Sequence, residues 1–300
     1  MLILRRISSQ PYVLLTLTAL IWAGNAIAGK MAAGHISPFL LTSLRWTIAF
    51  SVLIPISFRY VKNDWPLIRK NIIFMFLLGA IGFTLFNNLF YLSLNYTTAI
   101  NVAIEQASMP LVVFGLNFML FGIRANWMQI LGFILTIFGV ALTATHGNLA
   151  GITSQEVNFG DLVMLAAVLA YGGYSVMISR KPQIHWLSFI TVLAGAALIT
   201  SIPFTLWEFG TGRLLLPDTK GLALTVYTAI FPAIVAQVLW VRGLDIIGSN
   251  RGGVFINVVP IFASIMAVFL LGEDFRLYHA IAMVLVLIGV WMSQKQHAAG

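Results

Sequence analysis

The 300-residue sequence contains no cysteine, and only 9% of its residues are charged. Without cysteine there can be no disulfide, no thiolate nucleophile and no Cys-based metal site. Soluble domains usually carry about a quarter charged residues. This chain instead has 60% hydrophobic residues and a mean hydropathy of +0.95. The composition therefore excludes a water-soluble globular protein and predicts an integral membrane protein.

Motifs of the common enzyme classes are also missing. The sequence has no His pair at metal-ligand spacing, no Gly-x-Ser-x-Gly and no phosphate-binding loop. We therefore expect no enzyme, no cofactor and no bound metal, although a membrane-embedded enzyme built on Glu105 with other partners stays open. The formal charge of +8 comes from scattered Lys and Arg rather than from a patch, so we expect no nucleic-acid partner.

The apolar segments are about 18 to 24 residues long, which is the length an α-helix needs to cross about 30 Å of hydrocarbon. Strands of a membrane barrel would instead alternate over ~10 residues. We expect an all-α integral membrane fold with ten transmembrane helices, numbered α1 to α10. Their predicted ranges are 12–29, 38–58, 71–92, 99–121, 127–145, 160–179, 186–207, 220–241, 249–271 and 277–293.

The chain repeats itself at an offset of 150 residues (237 minus 87). A proline and two glycines in one ungapped register indicate a duplication. We expect repeats at 1–148 and 149–300, together one membrane domain, joined through the polar segment 146–159. Five helices in each repeat give the two halves opposite orientations, the inverted architecture of many transporters. The matched pairs are Asn87 with Gln237, Leu89 with Leu239, Leu94 with Leu244, Pro110 with Pro260, Gly122 with Gly272, and Gly139 with Gly289.

Basic residues in the connecting segments predict the orientation, because Lys and Arg are retained on the cytoplasmic side. Twelve on one side against four on the other places both termini, and the predicted loop 59–70, in the cytoplasm. The segment 146–159 is then expected outside. The twelve are Arg5, Arg6, Arg59, Lys62, Arg69, Lys70, Arg124, Arg180, Lys181, Arg242, Arg251 and Lys295, and the four are Lys30, Arg213, Lys220 and Arg276.

Arg45 and Glu105 are the charged residues predicted to lie well inside the membrane, each roughly 10 Å below the outer end of its helix. A charge at that depth costs at least ~2.5 to 3.5 kcal/mol on insertion scales, so each needs a reason. One hypothesis is a structural ion pair that joins α2 to α4. The other makes Glu105 a contact for a substrate ammonium group or a proton-coupling carboxylate.

Polar residues form a stripe on each of two neighbouring helices, α3 and α4. Such stripes can serve only as interhelical hydrogen bonds, worth about 0.6 kcal/mol each on average. Because a four-residue turn joins the two stripes, we favour a shared wet cavity that binds substrate. The α3 stripe is Thr84, Asn87, Asn88, Tyr91 and Asn95, and the α4 stripe is Asn101, Glu105 and Ser108.

Aromatic and amide residues extend the predicted substrate site to other helices. Aromatic residues near mid-helix beside amides are better pocket candidates than those at helix ends, which are ordinary interface anchors. Phe255 takes the repeat position of Glu105, so one half of the cavity would be polar and the other aromatic. The further candidates are Trp22 and Asn25 in α1, Tyr171 and Tyr174 in α6, Gln237 and Trp240 in α8, and Phe255 in α9.

The chain resembles the drug/metabolite transporter superfamily, and within it the ten-helix EamA type. The resemblance covers nearly the whole chain. In the first repeat an acidic residue is expected at Ile123, so the pattern departs there. The features that carry the resemblance are Trp22-Ala23-Gly24-Asn25, the stretch from Pro260 through Leu271-Gly272-Glu273 to Gly289-Val290, and Pro110, Gly122, Gly132 and Gly139 in the first repeat.

The resemblance implies a multi-pass exporter of small metabolites in a bacterial inner membrane, with a central cavity lined by α1, α3, α4, α6, α8 and α9. The aromatic lining is most similar to that of amino-acid exporters, in particular those for aromatic amino acids. We expect alternating access in a lipid-embedded monomer or homodimer that uses a proton or ion gradient for uphill transport.

Other functions stay open beside this one. Multidrug, sugar-nucleotide and phosphate-ester carriers belong to the same superfamily, but Arg45 is the one basic residue at depth to meet a phosphate. A passive channel or a non-transporting membrane sensor would belong to another class. A channel is expected to show rings of pore-lining residues rather than one asymmetric cavity.

Overall fold

The computed structural model describes residues 10–122, 126–148, 158–248 and 252–294. These residues form helices and connections and contain no β-strand. Eight helices are long and apolar enough to cross a membrane, and two shorter apolar helices follow them. The all-α membrane fold is thereby confirmed. The eight are Pro11–Ala32 (α1), Pro38–Lys70 (α2), Ile72–Ser93 (α3), Ala99–Phe121 (α4), Trp127–Ala144 (α5), Phe159–Arg180 (α6), Trp186–Gly210 (α7) and Thr219–Ile247 (α8), and the shorter two are Phe255–Leu271 (α9) and Leu277–Met292 (α10).

The largest departure from the predicted boundaries is in α2, which continues as one helix to Lys70. The segment 59–70, predicted as a loop, is helical because it is anchored on the rest of the fold. Ile68 is fully buried. The ring of Tyr60 stacks on His185 with centroids 3.9 Å apart, and the Asp64 carboxylate accepts the His185 backbone N–H at 2.9 Å. The basic residues of this segment therefore lie on a helical extension.

Backbone irregularities recur at the 150-residue offset. A π-helical segment interrupts α3 at Ala80–Leu85, and another interrupts α8 at Phe231–Val235. Gly122 and Gly272 each follow a helix with left-handed backbone, at φ 63° and 68°. Only glycine adopts that conformation without steric cost, which explains why both repeats keep it there. The predicted boundary between the repeats, at 148/149, lies at the edge of the described residues.

Helix packing shows the same exchange symmetry. Exchanging α1–α5 with α6–α10 maps the pairs α2–α7, α4–α9 and α5–α10 onto themselves, and each of these pairs is in contact. The same exchange maps α1–α8 onto α6–α3 and α1–α9 onto α6–α4, and these four contacts are also present. The two halves therefore interdigitate, with α1 packed on α8 and α9 and with α6 packed on α3 and α4.

Candidate functional site

Arg45 lies buried between α1, α2 and α3, with 5% of its surface exposed. Its Nη1 donates to Asn25 Oδ1 at 2.9 Å and to the Tyr91 hydroxyl. The Tyr91 hydroxyl donates to the same Asn25 oxygen at 3.0 Å. The guanidinium carbon is 5.3 Å from the Trp46 ring centroid. Arg45 Nε has no hydrogen-bond partner in the described part of the chain, so a buried positive charge is held by neutral groups.

The predicted ion pair between Arg45 and Glu105 is not formed. Asn25 and Tyr91 bind the guanidinium from α1 and α3, while Glu105 lies one helical turn from Asn101, which contacts Asp161 of α6. Both Glu105 oxygens are without a partner among the residues that the structure describes. The two side chains are therefore buried separately, and the prediction of a structural pair between α2 and α4 is wrong for this structure.

An aromatic surface continues from the Arg45 site along α1. Trp22 lies one turn before Asn25 and packs on Trp240 of α8, with ring centroids 5.3 Å apart. The hydroxyl of Tyr227, also on α8, lies against Gly24, where a Cβ atom would collide with it. Gly24 thus lets α8 bring Tyr227 against α1 at the position just before Asn25. Of the predicted site residues, the structure brings Asn25 of α1 and Tyr91 of α3 together around Arg45, and it joins Trp22 of α1 to Trp240 of α8.

A second polar cluster lies between α4, α6 and α10. Asn101 Nδ2 is 3.3 Å from both carboxylate oxygens of Asp161, and Asn101 Oδ1 is 3.2 Å from His279 Nε2. Glu105 lies one turn further along α4 on the same side as Asn101. All four side chains are buried. The carboxylates of Glu105 and Asp161 therefore lie in one region. Neither forms an ion pair within the described residues.

Asp161 and His279 were not among the residues predicted from the sequence. Each is the third residue of its helix, a position where polar side chains commonly cap the helix or face the interface. Gly160 is the sequence feature that could have indicated that Asp161 is buried. A Cβ atom there would lie 2.8 Å from Ser93 O and from Thr97 N, so only glycine lets α6 approach this turn closely enough to bury the next residue.

The residues of the α3 stripe do not all face the same neighbours. Thr84 donates to Ala197 O of α7 at 3.1 Å, and Asn87 donates to the backbone of its own helix at Phe83 O. The Asn88 amide is buried with no partner within the described ranges. The π-helical segment that contains Thr84 alters the helical rotation before Tyr91, so Thr84 and Tyr91 face different neighbours.

Tyr171 and Tyr174 of α6 form an aromatic wall against α3. Tyr171 packs on Phe86 at 4.9 Å between ring centroids, and Tyr174 on Phe83 at 6.0 Å. By exchange of the two halves, the α6–α3 wall is equivalent to the Trp22–Trp240 contact between α1 and α8. Gln237 is half-buried on α8, three residues before Trp240.

Phe255 does not face Glu105 across a cavity. Its ring packs on Tyr12 at 6.1 Å, at the start of α1. The other end of α1 is beside the start of α4, because Lys30 Nζ donates to Leu94 O and Thr97 O at 2.9 and 2.6 Å. Tyr12 and Lys30 are roughly 27 Å apart along the helix axis. The inverted repeat sends the two equivalent positions to opposite ends of the molecule.

Two further carboxylates bind helix N-termini across the two halves. Glu208 of α7 accepts from Ser37 Oγ at 2.7 Å and from two backbone N–H groups at the start of α2, each at 3.0 Å. Glu273 accepts the N–H groups of Ala99 and Ile100, at the start of α4, at 2.8 and 3.0 Å. A carboxylate there satisfies unpaired donors and the positive end of the helix dipole. The repeat position of Glu273 is Ile123, which lies outside the described residues.

Comparison with known proteins places this geometry in context. The model of the "EamA-like transporter family" matches residues 10–145 and again residues 158–294. An "Uncharacterized transporter YetK" of Bacillus subtilis (strain 168) is 26% identical over 94% of this chain and 86% of its own length. An uncharacterized transporter of Archaeoglobus fulgidus is 29% identical, over 97% of this chain and 99% of its own.

More distant proteins also match along nearly the whole chain. The "WAT1-related protein At5g07050" of Arabidopsis thaliana is 23% identical, over 97% of this chain and 82% of its own. One crystal structure superimposes with a TM-score of 0.61 over 95% of this chain and 96% of that chain. This superposition shows a shared fold, and at 19% sequence identity it shows the fold alone.

Proposed function

The chain belongs to the EamA-like transporter family, and from this premise we propose that it is a secondary transporter that exports small carboxylate-bearing metabolites. Amino acids with large apolar side chains are the substrates that the site fits best. The protein would work across a bacterial inner membrane, with both termini in the cytoplasm. One observation carries the substrate class, namely the buried Arg45 guanidinium without an acidic partner.

A buried charge without a counter-ion is costly, because even after relaxation its desolvation amounts to several kcal/mol. Asn25 and Tyr91 offset part of this cost with neutral hydrogen bonds. A substrate carboxylate would supply the missing negative charge and occupy the Nε–H that has no described partner. Carboxylates suit a guanidinium because two parallel N–H···O bonds can form.

The aromatic surface beside Arg45 favours a large apolar group on the same substrate. Trp22 lies one turn before Asn25 on α1 and packs on Trp240 of α8. A tryptophan buries about 150 to 250 Å² and can stack on a planar substrate group. A substrate with a carboxylate at Arg45 and an aromatic side chain on Trp22 would use both surfaces.

Transport by alternating access fits the exchange symmetry of the fold. The α1–α8 contact, which forms the aromatic surface, is equivalent to the α6–α3 contact. If the two halves rock, one contact opens while its equivalent closes, and the bound substrate changes sides. The sequence holds no phosphate-binding loop, so uphill export would depend on a gradient.

Ligand-dependent unfolding of the purified protein tests the substrate class. We expect phenylalanine to raise the unfolding temperature and phenylalaninamide, which has no carboxylate, to leave it unchanged. Asn25→Asp is the matched variant, because it places a carboxylate beside Arg45 while keeping size and shape. We expect this variant to unfold at a higher temperature than wild type and to lose the response to phenylalanine.

Equal stabilisation by phenylalaninamide would contradict the role of Arg45. A response to phenyl phosphate but not to phenylalanine would favour a phosphate-ester carrier instead. Counterflow in proteoliposomes separates a carrier from a channel or sensor, since only a carrier takes up labelled phenylalanine faster when loaded with unlabelled phenylalanine. Tyr91→Ala and Trp240→Ala should each weaken binding more than they reduce membrane abundance.

A further inference from the structure

We propose that Glu105 and Asp161 form a proton-binding site that couples export to inward proton movement, with Asn101 and His279 as positioning residues. This inference rests on the proposed function, because it names the gradient that the transporter would use. One proton would enter for each substrate molecule that leaves. The site lies between α4, α6 and α10 and is separate from the Arg45 cluster described above.

The hydrogen bonds assign different roles to the two carboxylates. His279 Nδ1 accepts the backbone N–H of Arg276 at 3.0 Å, so the ring is neutral and its proton is on Nε2. Nε2–H then donates to Asn101 Oδ1. This contact fixes the Asn101 amide so that Nδ2 donates towards Asp161. Asp161 is therefore the member whose negative charge is supported by hydrogen bonds.

Glu105 is the member that holds the proton. It is 0% exposed and both of its oxygens are without a donor in the described residues. An isolated carboxylate in an apolar region is far less stable than the neutral acid, and the neighbouring Asp161 charge disfavours a second one. Asp161 acts on Glu105 electrostatically, and acids that interact strongly bind and release protons as a pair.

The charged and titratable groups described on the surrounding helices do not supply a positive charge that could neutralise Glu105 in place of a proton. On α1, Lys30 is engaged by the carbonyl groups of Leu94 and Thr97. Beyond α5, His146 lies close enough to act on Asp161 electrostatically. On α10, His279 is neutral as argued, with Tyr278 next to it, and α6 adds the aromatic wall of Tyr171 and Tyr174. Within the described residues no group of three His, Asp or Glu could hold a metal ion, which favours a proton over a divalent cation.

The site is placed where rocking of the two halves can alter it. Glu105 and Asn101 belong to the first half, whereas Asp161 and His279 belong to the second. A change in the relative position of the halves would separate the two carboxylates or break the Asn101–Asp161 contact. Glu105 would then release its proton to water on the side that opens.

Infrared difference spectroscopy of the full chain in lipid tests the site without any substrate. We expect a carbonyl band of a protonated carboxylic acid at pH 7 that shifts when the protein is labelled with ¹³C at the glutamate carboxyl carbon. Glu105→Gln should abolish the band. Glu208→Gln is the matched control, because Glu208 is also buried but accepts three hydrogen bonds, and we expect it to keep the band. Absence of a glutamate-sensitive band from wild type would overturn the proposal, whether or not the variants fold.

A transport measurement then separates the two proposals. Exchange of phenylalanine for phenylalanine needs no net proton movement, so Glu105→Gln and Asp161→Asn should keep counterflow and lose export driven by a pH gradient. One pH unit corresponds to a roughly tenfold substrate gradient for one proton per molecule, and this gradient should disappear in both variants. Gradient-driven export that persists in both would refute the coupling. No counterflow in wild type would instead contradict the proposed function while the infrared result stands.

Discussion

Four acidic residues in the described chain differ in how many donors their carboxylates meet. Glu208 accepts three hydrogen bonds and Glu273 two, both from helix N-termini. Asp161 is approached by the Asn101 amide and the Thr97 side chain, and Glu105 by no described donor. The first two therefore stabilise the fold as anions. The absence of donors at Glu105 matches a group that changes its charge.

Removal of the Glu208 charge should destabilise the protein. In Glu208→Gln the amide can still accept one N–H, but its NH₂ group faces the remaining donors. Hydrogen bonds to a charged group are worth about 1.5 to 3 kcal/mol, and we expect a loss in that range in equilibrium unfolding in lipid. Asp274→Asn, at an exposed site with Arg276 3.8 Å away, should change stability by less than about 1 kcal/mol. Equal effects at the two positions would contradict the capping role.

Asp218 offers a pH test outside the membrane helices. The backbone N–H of Gly221 and then the His35 side chain hold the pKa of Asp218 below its ordinary value. Its stabilising contribution is therefore complete above the ordinary aspartate pKa and is lost as pH falls through the lower folded value. We expect the unfolding temperatures of wild type and Asp218→Asn to converge on acidification from pH 5 towards pH 2. A difference that stays constant over this range would contradict the assignment.

At the scale of elements, the α5–α10 contact depends on glycines that are related by the repeat. A Cβ atom on Gly139 would lie 2.8 Å from Ala282 O, and one on Gly289 would collide with Gly132 O. These two contacts are equivalent at the 150-residue offset. Small residues let membrane helices approach each other closely and pack without a hydrophobic driving force. The helix pair is thus built as a nearly symmetric unit.

Alanine at either glycine should destabilise this unit. Overpacking costs typically 1 to 3 kcal/mol, so roughly this loss is expected for Gly139→Ala and for Gly289→Ala. Gly173→Ala is the matched control, since Gly173 is also within a helix but has nothing within 4 Å of a Cβ atom. There the better helix propensity of alanine should stabilise by up to about 1 kcal/mol. Thermal unfolding of the three variants measures the sign, and destabilisation by all three would show a general glycine effect instead.

The elements themselves were largely predictable because membrane helices leave a strong signal. The limits of α4 agree with the prediction, since the Thr98 side chain caps its start and Gly122 ends it. The end of α2 was not predictable. Basic residues in 59–70 are typical of a loop, and only the contacts of Tyr60 and Asp64 with His185 make this segment helical.

The residues of the site could be predicted from the sequence, but the contacts between them could not. Asn25, Arg45 and Tyr91 could each be identified as unusual at membrane depth, yet one sequence does not show which of them meet. Arg45 and Glu105 were expected to form an ion pair because they lie at similar depths. The rotation of each helix about its own axis determines which residues its side chains contact, and depth alone does not show this. Asp161 was missed because a carboxylate in the first turn of a helix usually faces water.

At the scale of the whole molecule, the helix ends predicted to face outward are bound to each other, within the first half by Lys30 and across the two halves by Glu273 and Glu208. Lys30 ties α1 to the turn before α4, and Glu273 ties the second half to the start of α4. Glu208 does the same for α2. These bonds favour a state closed on that side, which is the state in which an exporter takes up substrate from the cytoplasm.

This interpretation depends on the orientation, which cysteine labelling can decide in a chain with no native cysteine. The position used for the inner side is Lys62, exposed on the α2 extension, and for the outer side Thr211, exposed after α7. The segment 149–157, also predicted outside, lies beyond the described residues. Because twelve of the sixteen basic residues in connecting segments fall on one side, we expect an impermeant maleimide to label Thr211→Cys in intact cells and Lys62→Cys only after permeabilisation. The reverse pattern would place Glu208 and Glu273 at the cytoplasmic ends of their helices, and the state described above would then be closed to the cytoplasm.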